Sequence, residues 1–151
     1  MNDRDELLRP SLGSETSPET SIYSATTGFL AAFFGGPLGG AIVAMVNAWR
    51  LKRLASDWPL AVAAIALTVG LLWWELRAGG AEWLVDIAGS SGVQIALRVA
   101  GLAFFSVVYA IHRTYYRSME LFAVDPPSGW ALGVGATVAG FVTTLFIASA
   151  M

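Results

Sequence analysis

The chain has 151 residues, 56% hydrophobic and only 13% charged, about half the charge content usual for a soluble domain. A single soluble core of this size cannot hide that much apolar surface, whereas a bilayer can. The net charge of −2 excludes a basic nucleic-acid footprint, and zero cysteines with one histidine exclude disulfides, a thiolate nucleophile and Cys- or His-rich metal sites; no cofactor is expected.

Residues 1–20 are rich in Ser, Thr and Glu, with Pro10 and Pro18, and read as a disordered tail. Asp3-Arg4-Asp5-Glu6-Leu7-Leu8 matches an acidic dileucine sorting pattern, which is short enough to arise by chance. The rest, 21–151, reads as one transmembrane domain. Four segments reach the length of a spanning helix, at about 22–49, 59–76, 92–111 and 129–150. The fold class expected is therefore all-α: a polytopic membrane protein whose four transmembrane helices form a bundle.

The first segment, if fully helical, is roughly 40 Å long and must tilt, kink or protrude. Its acidic flank and its length argue against a cleaved signal peptide. At its centre stands Phe33-Phe34-Gly35-Gly36-Pro37-Leu38-Gly39-Gly40. Pro37 has no N–H and crowds the Phe33 carbonyl, so the helix is expected to kink between Gly35 and Pro37. Small residues recur every four positions, at Ser24, Gly28, Ala32, Gly36, Gly40, Ala44 and Ala48, with Gly35 and Gly39 beside them. Such a stripe lets helix backbones approach closely. The break is read as a close-packing kink, with a solute path along the freed carbonyl as the alternative.

The first loop carries Arg50, Lys52 and Arg53, then Asp57-Trp58-Pro59, in which Asp57 reads as an N-cap and Pro59 as the first turn of the second helix. Asp125-Pro126-Pro127 before the fourth helix is built alike. Between the second and third spans, 81–88 reads as an amphipathic interfacial stretch, with Glu82 and Asp86 wet. Arg98, the deepest charge, lies near the start of the third span, and Glu75 is its expected ion-pair partner. Arg113 and Arg117 share a face of a cytoplasmic extension of the third helix and, like Arg50, Lys52 and Arg53, suit anionic headgroups. Asn47, Gln94 and Ser106 suit interhelical hydrogen bonds. His112 reads as interfacial, with no triad partner at a telling spacing. The fourth span repeats the small-residue pattern at Gly129, Gly133 and Thr137, with Gly140 alongside.

Five Lys and Arg in the two loops, against Arg4, Arg9, Arg77 and Arg98 elsewhere, put the loops in the cytoplasm and both termini outside. The six tryptophans fall near span ends, as an interfacial belt requires.

The Tyr23-Ser24 start, the Phe-x-Gly-Gly-Pro-Leu-x-Gly core over 33–40 and the Asn47-Ala48-Trp49-Arg50 end resemble the opening helix of a group of small bacterial inner-membrane proteins with no assigned activity. The likeness covers about a fifth of the chain, and Asn47-Ala48-Trp49-Arg50 departs slightly from the Asn-aromatic-Arg ending. It implies a bacterial inner membrane. Small multidrug exporters share four short spans, but their first helix carries an embedded carboxylate that 22–49 lacks. The function expected is non-enzymatic: a structural or accessory protein packing with itself or with a membrane partner. The alternative is a small solute or ion transporter using the break and the Glu75/Arg98 pair.

Overall fold

The computed structural model describes residues 22–77, 82, 86, 92–121 and 126–150. The tail over 1–20, the Asp125 cap and the stretch 81–88, apart from the exposed Glu82 and Asp86, lie outside the described residues. Among the described residues the long elements are four helices: α1 (Ala25–Arg50), α2 (Leu54–Arg77), α3 (Gly92–Leu121) and α4 (Trp130–Ala150). All four are long and apolar enough to cross a membrane, and no strand occurs among the described residues.

α1 is not one rod. Ser24 caps its start, its Oγ accepting from Thr27 N at 3.3 Å. Helical dihedrals stop at Gly36, with φ 67° and ψ −163°, a region only glycine occupies without strain. Pro37 then opens a second stretch at a position where its missing N–H is not needed. Were α1 straight, Tyr23 and Asn47 would stand about 36 Å apart. Instead Tyr23 N donates to Asn47 Oδ1 at 2.9 Å. A bend alone cannot do this; the chain reverses at Gly36 into two antiparallel arms, 25–35 and 37–50.

Small residues make the reversal possible. A Cβ on Gly40 would stand 3.0 Å from Ala32 Cβ, and one on Gly39 would run into the Ala31 carbonyl. The tip is held from both sides. A Cβ on Gly101 of α3 would stand 2.8 Å from Gly36 C, and one on Gly140 of α4 would stand 2.6 Å from Gly35 O. α1 packs against all three other helices, whereas α3 and α4 do not pack against each other. α3 covers the first arm: Phe105 fills the space over Gly28 and meets the Phe29 ring edge-on at 4.9 Å. α4 lies over both arms through Ala136, which clusters with Ala31 and Val43.

All elements share one polar end, here called the base: both ends of α1, the starts of α2 and α4, and the C-terminal part of α3. Ile22 packs there with Tyr116 and Met119, and Gly129 meets Thr27. α2 begins at Leu54, five residues before the expected start at 59. Lys52 adopts φ 55°, which turns the chain sharply, and the Arg53 carbonyl accepts from Ser56 N at 2.9 Å and Asp57 N at 3.1 Å. The Asp57 side chain is thereby inside the helix and free for another partner, so it is not the cap.

Candidate functional site

The described polar side chains concentrate at the base, where they lock the hairpin and the helices around it. Asn47 is buried and uses its whole amide: Oδ1 accepts from Tyr23 N, and Nδ2 donates to Tyr23 O at 3.2 Å and to Tyr116 Oη at 3.3 Å. Both backbone groups of Tyr23, which precede the helix and have no helical partners, are thus satisfied by one side chain from the opposite arm. Arg50 lies over the Tyr23 ring, 4.5 Å from its centre.

Beside this clamp, His112 of α3 and Asp57 of α2 form a buried pair, 7% and 4% exposed. His112 Nε2 stands 3.0 Å from Asp57 Oδ2, and Nδ1 stands 3.1 Å from Val108 O. A carbonyl can only accept, so Nδ1 is the donor to Val108 O, and Nε2 faces the Asp57 carboxyl group. Both ring nitrogens are therefore engaged, and the imidazole has no free edge for a substrate. Arg53 donates to Tyr115 Oη and stands 3.9 Å from Asp57 Oδ1. Ala44, Asn47, Val108, His112 and Tyr116 border a cavity of only about 10 Å³, room for about one water and for no substrate. Among the described residues no His, Cys, Asp and Glu group suits a metal.

The residues singled out in the sequence fall into three sets. Gly28, Ala32, Gly35, Gly36, Pro37, Gly39 and Gly40 are all buried, and their partners lie in this same chain: the other arm, Phe105, Gly101 and the α4 residues Ala136, Thr137 and Gly140. Gly129 and Gly133 both face Thr27. Glu75 and Arg98 do not form the expected ion pair. Arg98 lies over the Phe33 ring, 5.2 Å from its centre, while Glu75 is 3% exposed with an Oε1 that has no hydrogen-bond partner. Glu75 stands about 27 Å along α2 from Asp57 and Arg98 about 21 Å along α3 from His112, and the Arg98 guanidinium turns to the Phe33 ring instead. Of the five basic residues, Arg50 and Arg53 turn inward to tyrosines, and Lys52, Arg113 and Arg117 are exposed.

His112 is a core residue, not an interfacial one. The signal lay in its spacing: Gly101, Phe105, Val108, His112, Tyr116 and Met119 follow the helical repeat of one buried face. Set against protein-family models, curated proteins and solved structures, the chain matches none of them.

Proposed function

We propose that the protein is an integral protein of the bacterial inner membrane, without catalytic activity, that acts as a structural or accessory component through its helix surfaces. The observation that carries this reading is the burial of the Gly35 to Gly40 tip between α3 and α4. Irregular backbone at membrane depth belongs either in packed protein or beside water, and close contact on both sides favours the first. The base lock supports the same reading, because its histidine and asparagine are wholly occupied by internal partners.

The hairpin glycines contact their own chain, so they are not the surface offered to a partner. That surface is α4, where Trp130, Val138, Phe141 and Phe146 are exposed. Lys52, Arg113 and Arg117 meet anionic headgroups at the base. The test uses single cysteines in the otherwise cysteine-free chain, at Val138→Cys, Phe146→Cys and the buried Ala136→Cys. Crosslinking in native membranes is expected to give a discrete dimer or partner adduct from the first two and none from the third. Uniform absence of adducts defeats the reading.

One observation favours the transport alternative: the buried, unpartnered Glu75 oxygen, in a place where an ionisable group suggests function. Proton or cation flux in proteoliposomes that Glu75→Gln abolishes would establish that alternative.

A further inference from the structure

We infer that α1 does not cross the bilayer. It enters and leaves on the same side as a re-entrant hairpin, so the chain crosses three times and its termini lie on opposite sides. This rests on the membrane reading above and goes beyond it.

Length is the first argument. The arms 25–35 and 37–50 extend about 16 and 21 Å, well short of a hydrocarbon core of about 30 Å. The second is that both ends of α1 meet at one level. Asn47 holds both backbone groups of Tyr23, Arg50 covers the Tyr23 ring, and Ile22 packs with Leu51, Tyr116 and Met119. The third is depth. The tip meets Gly101 and Gly140, and Gly140 lies midway along α4 (Trp130–Ala150). The tip therefore stops near the bilayer midplane, where neighbouring protein encloses its non-helical backbone.

Charge then sets the direction. Arg50, Lys52, Arg53, Arg113 and Arg117 belong to the base, and Arg4 and Arg9 precede Ile22 in the sequence. Only Arg77 and the deeper Arg98 stand toward the other. A straight first span leaves Arg4 and Arg9 opposing the loop charges; the hairpin puts them in agreement. By the positive-inside rule the base is cytoplasmic. The N-terminal segment is then cytoplasmic and α4 ends outside, so the N-terminus is on the side opposite to the one a straight span requires.

The absence of cysteine makes this directly measurable. Ser11→Cys, Lys52→Cys and Ala150→Cys, each alone, would be probed in spheroplasts with a membrane-impermeant maleimide before and after lysis. Expected is labelling of Ala150→Cys in intact spheroplasts, and of Ser11→Cys and Lys52→Cys only after lysis. Labelling of Ser11→Cys and Ala150→Cys from the same side overturns the hairpin. If Ser11→Cys and Lys52→Cys react outside and Ala150→Cys inside, the hairpin survives and the cytoplasmic assignment falls. A carbonate wash of the same membranes separates the two claims: a protein that washes off defeats the membrane reading itself, whereas a retained protein with the wrong labelling defeats only the topology.

Discussion

α1 and α4 have the same mean hydropathy, 1.9 over their most apolar stretches, yet 61% of that stretch is buried in α1 and 11% in α4. Both are rich in glycine and alanine and both would be scored as spanning helices. What separates them is the arrangement of special residues. In α1, Gly36 followed by Pro37 ends one helix and opens another, and Asn47 on the second arm reaches back to Tyr23 before the first. α4 has no proline and no polar residue larger than threonine or serine within it, and most of its surface stays exposed. Average hydropathy reports that a segment tolerates a membrane; punctuation and paired polar residues decide whether it crosses.

The largest way to break this contrast is to release what encloses the hairpin. His112→Ala leaves Asp57 buried without its partner, and loss of one member of a buried pair costs about 3–5 kcal/mol. Thermal unfolding in detergent is expected to show that loss, with much of it recovered in the Asp57→Asn/His112→Ala double variant, since the acidic side chain that lost its partner is then gone as well. Arg53→Gln is expected to cost under about 1 kcal/mol, because its contact with Asp57 is long and its side chain is 37% exposed. Equal losses at His112 and Arg53 would show that the buried pair holds nothing in particular.

Next comes the clamp. Asn47→Ala strips partners from Tyr23 N, Tyr23 O and Tyr116 Oη. Leaving such groups buried costs about 1–3 kcal/mol each, reduced here because the half-buried Tyr23 gains access to water, so a total near 2–3 kcal/mol is expected. The same variant should raise amide exchange over residues 22–28 and leave α4 unchanged. Exchange that rises equally in both helices would mean that Asn47 supports the bundle at large and is no clamp on the hairpin.

Much of this is legible in the sequence. The four helices, the break beside Pro37 and the extension of the third helix past Arg113 follow from composition and punctuation, and α3 does run to Leu121. The direction of the stripe was not legible. Small residues four apart read as one face of one rod, but after a reversal Ala32 meets Gly40 across the arms while Gly28 meets Phe105 of α3, so the stripe is divided between the seam and a neighbouring helix. Nothing in a run of apolar residues distinguishes a bend from a reversal; Asn47 was the one local clue, because a buried amide so near the end of the run needs partners, and unpaired helix-start groups at Tyr23 supply them. The Asp57–His112 pair was hidden for a different reason. Asp beside Trp58-Pro59 fits a cap, which keeps its side chain local, whereas Lys52 at φ 55° starts α2 early and sends the carboxylate to α3.

The smallest effects make the sharpest comparison, because one substitution reads both helices. At Gly140 an alanine Cβ would stand 2.6 Å from Gly35 O and 2.7 Å from Gly39 N, both backbone atoms that cannot step aside, so overpacking of about 1–3 kcal/mol is expected. At Gly36 the nearest atom to a new Cβ is Leu97 O at 3.8 Å, an ordinary contact. The whole penalty of Gly36→Ala is therefore the backbone conformation, of order 1–3 kcal/mol. At Gly135, also on α4, nothing lies within 4 Å, and Gly135→Ala should stabilise by up to about 1 kcal/mol through helix propensity. Detergent unfolding of the three single variants thus predicts two losses and one gain. A gain at Gly36 as well would mean that residue accepts helical dihedrals, and then α1 could straighten into the rod that its hydropathy alone suggests.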